Sequence, residues 1–121
     1  MKRPLINHTN HPSRFWQEGQ RQAGESWGPI VDFPFPSIPP EWDEEKVKEK
    51  AVENAARIQA MEPAAVLLQG EFTYSYDLIT LLKEAGIPVL AACSRRDVEE
   101  RQEEGKSVKT AVFRFVRFRK Y

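Results

Sequence analysis

The chain has 121 residues, which is the length of one compact domain. Lysine plus arginine and aspartate plus glutamate number 18 each, so the formal net charge is zero with histidine neutral. This balance argues against a protein held on DNA, RNA or an anionic membrane by bulk positive charge. Hydrophobic residues make up 40% of the chain, and the single cysteine, Cys93, excludes an internal disulfide. We therefore expect one domain over residues 1–121 in a reducing, cytoplasmic setting.

Apolar runs in this sequence are short. The first, residues 5–6, is well below the roughly 7–15 apolar residues of a signal peptide. Nothing approaches the roughly 18 apolar residues of a membrane span. We expect no export and no membrane partner.

The first 40 residues predict short elements followed by a stiff loop. Residues 5–6 predict a first strand, and residues 13–23 predict a helix that Gly24 ends. Residues 30–33 predict a second short strand. Four prolines between positions 34 and 40 predict an extended loop, since proline fixes φ and removes a donor.

The middle of the chain alternates long amphipathic stretches with apolar ones. Apolar residues at steps of three and four predict helices over residues 42–61 and 74–85. Residues 64–68 and 87–92 are apolar throughout, as in strands that helices cover on both faces. Strand and helix in alternation predict an α/β, Rossmann-like, three-layer sandwich with a mainly parallel sheet.

The C-terminal part predicts a different arrangement. Residues 97–103 are rich in charged helix formers and predict a short helix, which Gly105 follows. Residues 107–119 predict a last strand, antiparallel to its neighbour. The tail at residues 113–121 mixes aromatic and basic side chains, which suits either RNA binding or a strand whose arginines pair with acidic helix faces.

Four predicted loops share the carboxyl edge of the sheet, where α/β proteins bind ligands. They comprise residues 7–13, 32–40, 69–73 and 94–96, and the sequence lacks both G-x-G-x-x-G and the P-loop pattern. The polar residues that secondary structure does not explain are our ligand-binding candidates: Asn7, Thr9, Asn10, Ser13, Gln69, Gly70, Glu71, Thr73, Tyr74, Ser94 and Arg96.

The predicted ligand-binding residues also have structural interpretations. Gly70 suits either close approach of a ligand or a turn with positive φ. Glu71 suits a hydroxyl ligand or a solvated first turn, and Ser94 a phosphate or a helix cap. Tyr74 and Tyr76 suit stacking on bases or ordinary packing.

His8 and His11 are the only histidines, and both follow the first strand. Histidine transfers protons near neutral pH, which suits acid–base work on a ribose hydroxyl or a phosphate. The alternative is a helix cap or a hydrogen bond to a neighbouring loop. Two histidines without a spaced third ligand do not make a zinc site, so we expect no metal and no cofactor.

Arg95 directly follows a buried strand and is the third catalytic candidate. An arginine there suits a ligand phosphate, as does Arg96 beside it. The alternative is a salt bridge to Asp97, Glu99 or Glu100.

Several segments resemble a known family. They are residues 66–73 (VLLQGEFT), 86–89 (GIPV), 94–95 (SR) and 115–121 (FVRFRKY). The histidine-containing loop, a helix with Gln17 and Gln20, and the IPP sequence at residues 38–40 add to the likeness. Together they resemble small accessory proteins of type III CRISPR systems, the ring-nuclease group.

The resemblance implies a CARF-like homodimer that binds cyclic oligoadenylate, most often cyclic tetra-adenylate, across its two-fold axis. Some members of the group cleave the ring without a metal ion, by attack of a ribose 2′-hydroxyl on the neighbouring phosphorus. A two-fold dimer presents such a ring with identical loops from both copies. The competing hypotheses are a non-catalytic binder of the same messenger and an unrelated nucleotide enzyme on the same scaffold.

Overall fold

A five-stranded mixed sheet in the order β2-β1-β3-β4-β5 forms the centre of the protein, in a computed structural model that describes residues 2–121. The elements are β1 (Leu5–Thr9), α1 (Glu18–Glu25), β2 (Ile30–Asp32), α2 (Glu44–Ala60), β3 (Ala65–Gln69), α3 (Phe72–Glu84), β4 (Val89–Glu103) and β5 (Lys106–Lys120). The first four strands run parallel, and β5 pairs antiparallel with β4. The predicted α/β fold with an antiparallel C-terminal strand is confirmed.

Helices cover both faces of the sheet. On one face, Ile6, Val66 and Leu68 belong to a core cluster with buried side chains of α2 and α3. On the other face, Leu67 and Leu90 pack with Trp16, just before α1. Consecutive residues of β3 therefore belong to different cores, which explains why that strand is apolar at nearly every position.

The topology places a crevice between β1 and β3. The chain leaves β1 toward β2 on one side and leaves β3 toward β4 on the other, so the sequence order reverses between these adjacent strands. Connections after the two strands then run to opposite faces of the sheet and leave a space between them. This is the place where an α/β sheet offers its carboxyl ends to a ligand.

The two long helices begin at acidic caps. Asp43 accepts a hydrogen bond from the Lys46 amide (2.9 Å), and Glu71 accepts one from the Tyr74 amide (2.7 Å). These bonds satisfy donors that have no partner in the first turn of a helix. Both helices agree with the sequence prediction within two residues at each end.

The predicted helix over residues 97–103 is wrong, because these residues continue β4. The charged residues of this segment favour a helix. Each of them instead pairs with a residue of β5, so that β4 and β5 form one long hairpin. Glu104 and Gly105 have positive φ angles of 51° and 75°, which suits a two-residue turn that matches strand twist. We call residues 94–115 of this hairpin, beyond the end of β3, the arm.

The arm also corrects the expected partners of the C-terminal arginines. Arg114 forms ion pairs with Asp97 (3.1 Å) and Glu99 (2.5 Å), which lie on the neighbouring strand and not on a helix. Pairing across a ladder replaces the predicted contact with an acidic helix face.

The beginning of the chain differs in two further ways. The first strand extends through Asn7 and His8 to Thr9, because these polar side chains are bonded inside the protein and can be buried. The predicted helix over residues 13–23 is divided into a 3-10 turn, Ser13–Phe15, and α1, which runs past Gly24 to Glu25. Among residues 2–121, no helix is long and apolar enough to span a bilayer.

Candidate functional site

A cavity of about 440 Å³ opens at the carboxyl ends of β1 and β3, beside the first half of β4. Leu67 and Ala92 give it an apolar floor, on the sheet face that α1 covers. Its walls are formed by Thr9, Asn10, His11, Gln17, Gln20, Gln69, Ser94, Phe113 and Phe115. The structure thus brings five predicted site residues together: Thr9, Asn10, His11, Gln69 and Ser94.

Asn7 fixes the loop that carries His11. Its amide donates to the His11 carbonyl and to the Asp32 carboxylate, both at 2.9 Å, and its oxygen accepts from the Thr9 hydroxyl at 2.8 Å. The Trp16 indole also donates to the His11 carbonyl (3.1 Å). The backbone of His11 is therefore held, while its exposed imidazole makes no hydrogen bond with the described residues.

Two glutamine side chains bond to strand backbone that has no neighbouring strand on that side: Gln69 beside β4 and Gln17 beside β5. The Gln69 side chain accepts from the Ala92 amide (2.9 Å) and donates to the Ala92 carbonyl (3.3 Å). The Gln17 side chain accepts from the Phe115 amide (2.9 Å) and donates to the Phe113 carbonyl (2.7 Å). Each side-chain amide thus makes the pair of hydrogen bonds that a neighbouring strand would make. Both side chains therefore have a structural role.

A bulge in β5 forms the aromatic wall. Cys93 lies opposite Arg117 and Ser94 opposite Phe115, so Val116 is an extra residue in β5. This insertion puts Phe115 and Phe118 on the same face although three positions separate them. Their ring centroids are 5.1 Å apart, at an edge-to-face angle of 70°. Phe115 thereby rests on the α1-side core while it lines the cavity.

The cavity lining is nearly free of charge. His11 is its single titratable side chain, and the other polar groups are neutral amides and hydroxyls. Such a lining suits a base and a ribose better than a bare phosphate, which usually takes charged donors.

Arg95 and Arg96 lie outside the cavity, exposed on the arm. Side chains alternate along a strand, so Arg96 shares the face of Ser94, and Arg95 points to the opposite face. Neither forms an ion pair with the part of the chain that the structure describes. The acids predicted as their partners bond to other residues: Asp97 and Glu99 to Arg114, and Glu100 to the Ser107 hydroxyl.

His8 lies on the other sheet face and is fully buried. Its Nδ1 lies 2.6 Å from the Phe33 carbonyl and therefore donates, which leaves Nε2 to accept from the Tyr74 hydroxyl at 2.8 Å. Burial lowers the pKa of His8, and the bond to Phe33 opposes this effect. Both ring nitrogens are occupied, so the structure gives His8 the environment of a core histidine.

Tyr74 connects His8 to α2. Its hydroxyl also accepts from the Asn54 amide (2.8 Å), and burial raises the pKa of Tyr74 to about 12, so the phenol keeps its proton. The oxygen of the Asn54 amide is buried without a partner among the described residues.

The other predicted residues after β3 lie away from the cavity. Gly70 has no positive φ, and the ring of Phe35 lies so close that an added Cβ would be 2.3 Å from it. Glu71 caps α3 and also accepts from the Thr73 hydroxyl, and these hydrogen bonds hold the pKa of Glu71 below its usual value. Ser13 is outside as well, with its amide directed at Asp32.

Sequence reasoning missed six lining residues: Gln17, Gln20, Leu67, Ala92, Phe113 and Phe115. Gln17 and Gln20 entered only through the family likeness. Gln20 carried its own signal, since it stands four residues before Gly24 on the buried side of α1. The two phenylalanines could not be placed without the bulge at Val116.

The comparison with protein families gives one clear result. A family model described as uncharacterized protein MJ1673 family matches residues 3–119. The chain belongs to this family. No curated protein and no solved structure matches the chain. Within residues 2–121, no group of three or more His, Cys, Asp or Glu side chains is placed to hold a metal ion.

Proposed function

We propose that this member of the family binds cyclic tetra-adenylate in the cavity at the ends of β1 and β3, and acts as a ring nuclease of type III CRISPR signalling. The cavity itself carries the proposal: it lies at the switch in strand order, and it combines neutral amides, aromatic walls and one exposed histidine. Amides match the edges of bases, and phenyl rings match their faces. The sequence likeness to the ring-nuclease group supplies the identity of the nucleotide.

Cleavage would use a hydroxyl of the ring itself. The 2′-oxygen of one ribose attacks the adjacent phosphorus, the bond from phosphorus to the 5′-oxygen breaks, and a 2′,3′-cyclic phosphate forms. The proton that leaves the 2′-hydroxyl is balanced by the proton that the 5′-oxygen gains. His11 would make one of these transfers, because it lines the cavity and its backbone is held by Asn7 and Trp16.

Alignment and charge stabilisation supply the rest of the rate. The hydroxyl of Ser94 and the amide of Asn10 offer neutral donors to the phosphorane, whose charge grows in the transition state. Arg96 extends from the same face of β4 and supplies positive charge for the remaining phosphates of the ring.

The proposal includes a two-fold dimer. Cyclic tetra-adenylate consists of identical nucleotides, and two copies of the protein would offer it identical loops. Phe72 and Tyr76 are the proposed contact residues of this dimer: they are 89% and 73% exposed at the start of α3, on the sheet face opposite the cavity. Large exposed aromatics are enriched at interfaces. Light scattering should show a dimer that Phe72→Ser with Tyr76→Ser converts to monomer. Val52→Ser, at another exposed apolar position, should leave the dimer intact.

A non-catalytic binder of the same messenger is the second candidate. One observation favours it: His11 has no titratable neighbour in the cavity lining, so a single group would serve both proton transfers. The two candidates differ in turnover and share the binding step.

Labelled cyclic tetra-adenylate incubated with the protein in EDTA separates them. A ring nuclease gives linear product with a 2′,3′-cyclic phosphate, and His11→Ala slows that reaction by about 10²–10⁴-fold without loss of affinity. Gln22→Leu, on the exposed side of α1, is the matched control and should cleave at the wild-type rate. Tight binding with an intact ring assigns the binder, and absence of binding overturns both.

A further inference from the structure

Gln20 occupies a position that packing does not require to be polar. It lies on α1 four residues before Gly24, and both are buried together with Trp16, which precedes the helix. Gly24 is packed so closely that an added Cβ would meet Leu5 and Trp16 at 3.0 and 3.1 Å. An apolar side chain at position 20 would pack equally well beside Gly24. Packing alone therefore does not explain why this residue is a glutamine.

The amide of Gln20 has no partner among the described residues. The side chain is only 8% exposed and lines the cavity, and neither its oxygen nor its nitrogen makes a hydrogen bond within residues 2–121. The two other glutamines of the cavity contrast with it, since Gln17 and Gln69 are bonded to the strand backbones. Its amide atoms are not among the fully enclosed unpaired polar atoms, so the exposed part of the side chain faces the cavity, where the amide is free to bond a ligand.

The surroundings define the chemistry of that ligand. A carboxamide presents one donor and one acceptor side by side, which matches the N7 acceptor and the 6-amino donor of adenine. The rings of Phe113 and Phe115 and the side chain of Leu67 give apolar surface for the base. A purine with an oxo group at position 6 presents two acceptors, N7 and O6. The carboxamide could then make one of its two hydrogen bonds and not the other.

We propose that Gln20 reads the adenine base and makes the cavity selective for 6-aminopurines. The proposal rests on the function proposed above and adds the residue that decides which base the cavity accepts. Gln20 takes no part in proton transfer, so its role lies in affinity and selectivity.

Calorimetry with cyclic tetra-adenylate and cyclic tetra-inosinate tests this assignment. Wild-type protein should prefer the adenine ring by at least about tenfold, since a bidentate amide–base pair discriminates by factors of this order. Gln20→Met, which keeps length and loses both polar atoms, should weaken adenine binding by about 10- to 100-fold and remove the preference. Gln20→Leu is the second variant if the methionine protein folds poorly, and Gln22→Leu should bind as wild type.

The outcomes separate the two proposals. Wild-type binding of cyclic tetra-adenylate that Gln20→Met leaves unchanged, with its base preference intact, overturns the role of Gln20 and keeps the proposed function. Equal binding of both rings by wild-type protein also overturns it. Failure of wild-type protein to bind either ring removes the proposed function, and the role of Gln20 with it.

Discussion

The Nε2 atom of His8 accepts a hydrogen bond from the Tyr74 hydroxyl, 2.8 Å away, inside the core between the sheet and α3. The bond fixes the tautomer, because Nδ1 must then carry the proton that it shares with the Phe33 carbonyl. One buried chain of hydrogen bonds thus joins β1, α3 and the proline-rich loop after β2. This chain links the stability of the protein to pH, through His8, and to the Tyr74 hydroxyl.

We expect the protein to lose stability as the pH falls below neutrality, in part through His8. Burial lowers the pKa of this imidazole in the folded state, whereas the unfolded chain binds a proton near pH 6.5. The unfolded state therefore binds more protons below that pH, so this contribution is complete above about pH 6.5 and decreases as the pH falls. Melting temperatures between pH 7.5 and 5 should decrease less steeply in His8→Phe than in wild type.

Thr80→Ala, on the exposed side of α3, keeps both histidines and should retain the wild-type pH dependence. Equal slopes in wild type and His8→Phe would mean that the folded protein accepts the proton at His8 without penalty.

Tyr74→Phe should lower the free energy of unfolding by about 1–3 kcal/mol. The change keeps the ring and leaves His8 Nε2 and the Asn54 amide without partners in the core. Denaturant unfolding measures the loss. Combining it with Asn54→Leu, which removes one of the orphaned groups, should cost less than the sum of the two single changes; strict additivity would show that the hydroxyl does not couple them.

Sequence periodicity predicted the fold well where burial alone decides structure. β3 and the long helices came within two residues of their observed ends, because their apolar spacing has one good solution. The arm was missed, since residues 97–103 are good helix formers and pairing with β5 overrides that preference. The spacing of residues 97–103 alone does not reveal that they pair with β5, which comes after the turn.

The site was predicted in part for a related reason. The carboxyl ends of parallel strands meet at one edge, so Thr9, Gln69 and Ser94 could be placed together from topology. Which face each residue occupies depends on strand alternation, and one position separates His8, in the core, from Thr9, at the cavity. Burial of His8 and exposure of His11 therefore required the structure.

Two glycines should respond in opposite ways to alanine. At Gly70 the new Cβ would lie 2.3 Å from the Phe35 ring, so Gly70→Ala forces the ring to move and should destabilise the protein by about 1–3 kcal/mol. At Gly19 the nearest atom is 3.8 Å away, and alanine inside a helix should add about 0.5–1 kcal/mol. Urea unfolding measures both changes. Phe35→Leu should recover part of the loss at Gly70, and a full loss in the double variant would place the strain elsewhere.

Gln17 should control how firmly the base of the arm is held. Its side chain binds the Phe115 amide (2.9 Å) and the Phe113 carbonyl (2.7 Å) on the open edge of β5. Gln17→Leu removes both bonds, so the Phe115 amide should exchange with deuterium about 2- to 10-fold faster, for a hydrogen bond worth about 0.5–1.5 kcal/mol. Gln22→Leu should leave that exchange unchanged. Unaltered exchange in Gln17→Leu would mean that packing of Phe115 against Phe118, and not the glutamine, holds this edge of the cavity.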